Sequence, residues 1–390
     1  MFRALPPAGV PITAGDLIAG LAAIPRGKAA LADFREDIRR TFGVRHVFLV
    51  SSGRAALSIL LQGFHALHPD RDVVALPAYT SFSVPSAVVN AGLKMSLYDV
   101  DPVTLSLVPE SLAKAVGDRT LAVVVSHLHG FPADLDAVRA CVLPLGIPVI
   151  DDAAQAMGAD FRGKPVGTGG DAGLYSLSRG KNINAVDGGI IVTDRDDLAV
   201  VLERFTFTDK AERTLVLFLK ALLLSALIHP SLYWLPRTLP FLNIGASVFD
   251  PAFPVAPFTP FQAGIARKML ARLPTITAGR CDVAGWLGSR LGELRTLILP
   301  HPVAGAETVY LRFPVIVATG EPVTEAPALG IVRSYPAPLD ALPGLNPHRV
   351  RSDDAYPGAR LLAARLLTLP THQFVTNKDR RRIVDHLSKR

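Results

Sequence analysis

Short apolar runs recur through the first half of the chain, and they restrict its fold more than any other feature. Each run is four to six residues long, as buried strands of a parallel sheet are. The gaps between most of them leave room for one helix, which is the pattern of strand–helix–strand units. The runs are Val47–Val50, Asp72–Leu76, Met95–Val100, Leu121–Ser126, Ile147–Ile150 and Ile190–Thr193. The sequence therefore predicts an α/β fold with a large layered domain.

The first of these runs leads directly into a turn of small residues. Ser51, Ser52, Gly53 and Arg54 follow the strand, and a helix-forming stretch begins at Ala55. The first amides of a helix are free donors that can bind an anion. A serine in this place is also an ordinary N-cap. The turn is thus expected either to bind a phosphate or simply to cap the helix.

A carboxylate and an amine stand at positions that suggest chemistry. The run Ile147–Ile150 ends in Asp151 and Asp152, and strand ends are where open α/β sheets carry their sites. Lys181 lies on a turn flanked by glycines, where loss of solvation lowers the pKa of an amine and makes it a nucleophile. Pyridoxal phosphate (PLP) needs an amine for its aldehyde and a carboxylate that keeps its ring nitrogen protonated. Asp152 and Lys181 together therefore suggest PLP.

Two histidines after the fourth run invite a metal hypothesis. His127 and His129 would need further ligands, and no other His, Cys or carboxylate stands in a matching motif. We expect a hydrogen-bonded structural role, or a role at the edge of the substrate site, rather than metal binding.

Composition narrows the class of protein. With 49% hydrophobic and 19% charged residues the chain is not disordered. The net charge of +7 is spread along the chain, and the basic cluster at Lys378–Arg382 is interpreted as a solvated helix face, so no nucleic-acid partner is expected. The two cysteines, Cys141 and Cys281, and the prolines near the N-terminus favour a cytoplasmic protein.

Several segments resemble one known family in their order and spacing. These segments are Ser52–Leu57, Pro77–Thr80, Asp99–Pro102, His127–Gly130, Asp151–Ala156 and Ser176–Gly189. They resemble the DegT/DnrJ/EryC1/StrS family of PLP-dependent sugar aminotransferases, and weaker likeness resumes at Phe261–Gly264 and Leu369–His372. The resemblance implies PLP fold type I, with a large mixed-sheet α/β domain at 1–253 and a smaller α/β domain at 254–390. It also implies homodimers whose sites lie at the interface.

The resemblance implies a role for each matching position. Lys181 would be the Schiff-base lysine and Asp152 the partner of the pyridine nitrogen. Gln155 would lie near the phenolic oxygen, with Ser176 and the amides of the Gly53 turn on the phosphate. The residues expected to bind the cofactor are Ser52, Gly53, Arg54, Tyr79, Phe82, Asp152, Gln155, Ser176 and Lys181.

Three positions depart from the family pattern. Arg54 stands where threonine is common, so its guanidinium is expected either to bind the phosphate or to point to solvent. Ser81 replaces the aromatic residue that usually stacks on the ring, and Tyr79 or Phe82 is expected to substitute, unless the ring has a thinner cover. The Asn-x-Arg motif that many relatives supply to the neighbouring subunit is missing from 249–261.

An apolar stretch at about 214–248 is interpreted as an insertion. Its apolar run before Pro230 is too short, and too interrupted by Lys220, to span a bilayer. We favour a helical hairpin in the dimer interface. The alternative is peripheral membrane contact through 214–236, with Tyr233 and Trp234 at headgroup level. That alternative would change the substrate from a nucleotide-linked to a lipid-linked sugar.

The C-terminal part is expected to contain strands at Val309–Val317 and Gly330–Arg333 and a helix at Ala359–Leu367. Arg312, Arg333 and His372 are more often structural or surface residues than ligands of an anionic donor or phosphate.

The predicted activity is transfer of an amino group, from glutamate by resemblance, to a keto sugar. Lys181 would carry the proton between donor and cofactor as general base and acid. One alternative is a sugar dehydratase, but related dehydratases have histidine where Lys181 stands. The other is a membrane-associated binding protein of the same fold without turnover, for which Ser81 and the missing Asn-x-Arg are the hints.

Overall fold

A computed structural model describes residues 3–205, 211–237, 248–350 and 355–389. Helices in these ranges pack against one large sheet and against a small sheet. The helices are α1 (Ala14–Ala23), α2 (Lys28–Phe42), α3 (Gly53–Leu67), α4 (Ser83–Asn90), α5 (Pro109–Ala115), α6 (Leu135–Val142), α7 (Asp196–Leu202), α8 (Ala211–Leu227), α9 (Trp234–Arg237), α10 (Pro260–Leu270), α11 (Leu273–Leu291), α12 (Pro357–Arg365) and α13 (Asn377–Ser388).

The strands form three sheets. They are β1 (His46–Val50), β2 (Val73–Pro77), β3 (Lys94–Tyr98), β4 (Thr120–Ser126), β5 (Val149–Asp152), β6 (Asp160–Phe161), β7 (Lys164–Pro165), β8 (Ala172–Ser176), β9 (Gly189–Thr193), β10 (Leu297–Ile298), β11 (Ala306–Glu307), β12 (Phe313–Val317) and β13 (Leu366–Leu369). The sheet orders are β1-β9-β8-β5-β4-β2-β3, β10-β12-β13 and β11-β6-β7.

In the large sheet β9 is antiparallel to both of its neighbours, β1 and β8, and the remaining pairs are parallel. The other six strands therefore share one direction, and their C-terminal ends meet at one edge. This architecture confirms the predicted α/β fold. Fully buried strands such as β4 have the nearly continuous apolar sequence that the prediction used.

Strand β8 is an element that the periodicity did not single out. Its sequence, Ala-Gly-Leu-Tyr-Ser, contains no β-branched residue. Gly173 shows why a small residue is needed there, since a Cβ on it would lie only 1.8 Å from the carbonyl oxygen of Gly167. The loop before β8 thus packs directly on the strand.

Helix faces agree with the predicted amphipathic pattern. Phe34, Ile38 and Phe42 are buried on α2, as the four-residue spacing predicts. Helix α10 packs closely on α1, where a Cβ on Gly264 would lie 2.2 Å from the carbonyl oxygen of Ala19.

The C-terminal elements differ in their bounds from the prediction. Strand β12 begins at Phe313 rather than at 309, after Tyr310 with φ +43°. The predicted helix to 367 ends at Arg365, because Leu366–Leu369 pairs with β12 as β13. Residues 330–333 contribute only isolated bridges. The division into domains at 253 stays a prediction.

The apolar stretch is partly described, as α8 and α9, and 238–247 lie outside the described residues. Leu217 and Ala221 of α8 are buried, and its other face leaves apolar side chains exposed. These side chains are Leu215, Val216, Leu219, Leu222 and Leu223. In the described ranges, no helix combines the length and apolar character needed to cross a bilayer.

Candidate active site

A cavity of about 600 Å³ opens at the edge of the large sheet where the six parallel strands end. The turns after β1, β2, β5 and β8 form its walls. Seven of the nine predicted cofactor-binding residues line it. They are Ser52, Gly53, Arg54, Asp152, Gln155, Ser176 and Lys181.

Asp152 is the last residue of β5 and is buried. Its Oδ1 accepts a hydrogen bond from the amide of Ala154 (3.0 Å), and its Oδ2 lies 3.4 Å from the donating hydroxyl of Ser126. Thr80 donates in turn to Ser126 (3.2 Å). Burial raises the pKa of Asp152, while the Ala154 amide and the charge of Lys181 lower it. The carboxylate is therefore held in place by a short chain of donors.

Lys181 lies on the turn after β8. Gly180, immediately before it, has φ +85°, a conformation that favours glycine. Burial lowers the pKa of the Lys181 amine, and the charge of Asp152 raises it. Both side chains line the same cavity.

The start of α3 lies beside Ser176. A Cβ on Gly53 would lie 2.8 Å from the Cβ of Ser176, so the backbone of the helix start and this hydroxyl share one corner of the cavity. Ser52 caps the helix, since its Oγ accepts from the amide of Ala55 (3.2 Å). This cap uses the amide of Ala55. The amides of Gly53 and Arg54 have no acceptor within the helix and stay available to an anion. A cap and an anion site are thus compatible here.

Arg54 was expected either to bind the phosphate or to point to solvent, and its contacts match neither alternative completely. Its guanidinium pairs with Asp250 (3.3 Å) and lies 4.6 Å from the ring centre of Phe253, while the residue still lines the cavity. These contacts hold it at the wall.

Tyr79 and Phe82 do not line the cavity, in contrast to the expectation that one of them covers a ring bound there. Both are buried, and both rings approach Tyr335, at 5.4 Å for Tyr79 and 6.3 Å for Phe82. Ser81 lies on the cavity wall between them. The turn after β2 therefore directs its aromatic side chains into the core. Which residue covers a ring bound in the cavity stays a prediction.

A second cavity of about 700 Å³ adjoins the first and shares Lys181 and Gln155 with it. The amide of Gln155 is oriented by two bonds, because its Oε1 accepts from the amide of His129 (3.1 Å) and its Nε2 donates to the hydroxyl of Tyr335 (3.0 Å). Burial raises the pKa of Tyr335 to about 12. The sequence gives no signal for Tyr335, because this residue stands in no recognisable motif.

His127 is hydrogen-bonded, in agreement with the structural interpretation. Its Nδ1 accepts from the amide of Ala133 (2.8 Å), so Nε2 carries the proton and donates to Asp151. The second oxygen of Asp151 accepts from the amides of Gly167 and Gly169, each at 2.9 Å. Among the residues that the structure describes, no group of three His, Cys, Asp or Glu side chains is arranged to hold a metal ion.

Other wall residues come from distant parts of the chain. Ser178 lies 3.0 Å from Ser176, Oγ to Oγ, and Asp187 lines the same cavity. Gln262 at the start of α10 donates to the carbonyl of Asp187 (2.6 Å) and so fixes the loop that follows Lys181. Lys220 of α8 completes the wall. Sequence separation hid the contributions of Gln262 and Lys220.

The polar groups that line the cavity fit PLP. An amine and an acid share one cavity, and a hydroxyl beside a helix start supplies the donors that a phosphate oxygen accepts. The volume is within the range of small-molecule sites.

Comparison with known proteins identifies a similar family and a similar fold. Residues 24–215 match the sequence profile of the DegT/DnrJ/EryC1/StrS aminotransferase family. The chain is 38% identical over 164 residues to a pleiotropic regulatory protein of Geobacillus stearothermophilus, over 42% of this chain and 44% of that protein. It is 37% identical over 170 residues to L-glutamine:2-deoxy-scyllo-inosose aminotransferase of Streptoalloteichus tenebrarius, over 44% of this chain and 40% of the enzyme.

Both matches thus span less than half of the curated relative. Among solved structures, DesV of S. venezuelae aligns over 92% of this chain and 88% of its own, with a TM-score of 0.73 and 25% identity.

Proposed function

We propose that this chain, which belongs through residues 24–215 to the DegT/DnrJ/EryC1/StrS aminotransferase family, is a PLP-dependent enzyme that transfers an amino group from glutamate to a keto sugar. The observation that carries the proposal is the position of Lys181 and Asp152 in one cavity beside the start of α3. An amine and a carboxylate held in one cavity, next to an anion site, are what PLP requires.

The residues divide the chemistry among them. When bound, PLP supplies an aldehyde for covalent attachment and a ring that withdraws electrons from the substrate carbon. Asp152 would keep the ring nitrogen protonated. Lys181 would hold the aldehyde and, when its amine is free, would take the proton from the donor's α-carbon and carry it to the cofactor carbon. Ser176 and the first amides of α3 would hold the phosphate.

The test uses purified protein with added PLP. We expect a visible absorption band that shifts on addition of glutamate, with release of about one equivalent of 2-oxoglutarate per site. A screen of nucleotide-linked keto sugars, followed by mass spectrometry, is then expected to find one that accepts the nitrogen. Protein that binds no PLP, or that leaves glutamate unchanged, would favour the non-catalytic alternative. Loss of a sugar hydroxyl instead of amine transfer would favour a dehydratase, which the amine of Lys181 argues against.

The exposed apolar face of α8, defined as Leu215, Val216, Leu219, Leu222 and Leu223, is proposed as a contact between two copies of the chain. Exposed apolar patches of this kind mark interaction surfaces. The face is next to the site, since Leu223 and Leu224 line both cavities. A dimer formed there would lie at the entrance to the site. A lipid surface is the competing occupant, and it would favour a lipid-linked sugar.

The two occupants differ in a measurable way. Leu219→Lys combined with Leu215→Lys is expected to convert a dimer into a monomer in light scattering, because a charge on each side of the contact disfavours burial. Val200→Lys, at an exposed apolar position on α7, is the control and is expected to leave the dimer intact. Flotation of the wild-type protein with anionic vesicles, lost in the double variant but without a change in oligomeric state, would assign the face to a membrane instead.

A further inference from the structure

The second cavity carries an excess of positive charge. Among the described residues that line it, none is acidic and four are cationic. The four are Arg179, Lys181, Arg312 and Arg333. The guanidinium of Arg333 is exposed and pairs with Glu325 (3.2 Å). A cavity with this imbalance attracts anions.

Arg312 is the cation whose charge is least compensated. The residue is only 9% exposed. Its Nη2 donates to the carbonyl oxygens of Gly330 (3.0 Å) and Thr368 (2.8 Å), while its buried Nε has no hydrogen-bond partner. Within the described ranges no carboxylate lies at ion-pair distance from it, and the buried guanidinium of Arg280 adds a further positive charge nearby. A buried guanidinium that lacks a counter-ion is costly, and a bound anion would remove that cost.

His129 adds a second unsatisfied group to the same cavity. It is 1% exposed, and neither of its ring nitrogens has a hydrogen-bond partner. The ring lies parallel to that of Tyr335 at 6.1 Å, and the amide of His129 is held by Gln155. Burial lowers the pKa of His129 to about 3, with further lowering by Arg312 and Lys181, so the ring is neutral and has one N–H to donate. Buried polar atoms without partners in a native fold call for a ligand or water.

We propose that Arg312 and His129 bind the carboxylate of the amino donor. This inference rests on the proposed function and specifies one subsite within it. The donor's α-carboxylate is attached to the carbon that bears the reacting amine, so it must enter the cavity that contains Lys181. A nucleotide phosphate is separated from the reacting carbon by part of the sugar ring and would lie nearer the mouth. The buried guanidinium therefore suits the small carboxylate.

The first test measures binding without turnover. Glutarate, which has the two carboxylates of glutamate but no amine, is titrated calorimetrically into the PLP-loaded protein. Arg312→Gln is expected to raise the Kd of glutarate about 10- to 100-fold, and His129→Phe about fivefold, because hydrogen bonds to a charged group are lost. Arg333→Gln is the matched control in the same cavity and is expected to change the Kd about twofold or less. Arg312→Lys keeps the charge and is expected to recover part of the affinity.

A second readout separates the carboxylate from the rest of the donor. In the half-reaction, Arg312→Gln is expected to lower kcat/KM for glutamate by the same factor as the binding loss, and to leave that for a simple alkylamine unchanged. Equal glutarate affinity in folded Arg312→Gln and wild type would overturn the inference, as would weakened binding of uridine diphosphate with glutarate unaffected. If Arg312→Gln does not fold, the glutarate affinities of Arg312→Lys and His129→Phe test the inference instead. A wild-type protein that binds glutarate through Arg312 but does not convert glutamate would contradict the proposed function and leave the subsite standing.

Discussion

Replacing Lys181 with alanine is expected to abolish covalent attachment of PLP and to lower the rate of glutamate conversion by at least about 10³-fold. The amine of Lys181 has two tasks, since it binds the aldehyde and then moves a proton at the donor's α-carbon. Among the described residues, the other lysine on the cavity wall is Lys220, and it is exposed on α8 instead of held on the turn after β8. Borohydride reduction followed by peptide mass spectrometry measures the attachment directly.

Lys220→Ala is the matched control for this experiment. It removes an amine from the same cavity but not from the turn that Gly180 shapes. We expect the control to retain PLP on Lys181 and to lose little of the rate. A modified peptide that contains Lys220, or full activity in Lys181→Ala, would contradict the assignment.

Much of the fold was predictable because buried strands and helix faces have distinct periods. The strand runs and the Phe34, Ile38, Phe42 face of α2 depend on local patterns, and the structure confirms both. Strand β8 lacked such a pattern, because a close contact with Gly167 required glycine where a strand usually has a branched residue. The end of α12 was misplaced because Leu366–Leu369 suits a helix or a strand by composition, and only its partner β12 decides between them.

The site was predictable where function is tied to strand ends. Asp152 could be proposed because it ends a buried run, where open α/β sheets carry their sites. Lys181 could be proposed from its glycine-flanked turn and from the resemblance to the family. The residues that were missed come from elsewhere. Tyr335 reaches the site from the C-terminal part and Lys220 from the apolar stretch, and neither position follows from a periodicity. Tyr79 and Phe82 were expected to cover the ring because aromatic residues near Ser81 were available, but the direction of each side chain depends on packing against Tyr335.

Asp152→Asn is expected to lower the rate of glutamate conversion by about 10³-fold while leaving PLP attached to Lys181. Asparagine has nearly the same shape and can still accept from the amide of Ala154 (3.0 Å in the wild type). It lacks the negative charge that holds a proton on the ring nitrogen, and loss of such preorganised charge typically costs this much. Because attachment needs only the amine, reduction and mass spectrometry should still find PLP on Lys181. A loss of attachment together with activity would indicate that Asp152 acts on folding or binding instead.

The pH dependence of PLP affinity tests the same role for Asp152 through its charge. Burial raises the pKa of the carboxyl group, against the lowering by the Ala154 amide and Lys181, so the group stays protonated to a higher pH than an exposed carboxyl. A protonated Asp152 has no charge to pair with the ring nitrogen. The affinity of the wild type should therefore fall as the pH drops through this raised pKa, and in Asp152→Asn that dependence should flatten because the titrating group is gone.

A cofactor analogue that is methylated, and so permanently charged, at the ring nitrogen should restore part of the rate to Asp152→Asn, since it no longer needs a carboxylate to keep that charge. Equal rates with the analogue and with PLP would place the role of Asp152 elsewhere than at the ring nitrogen.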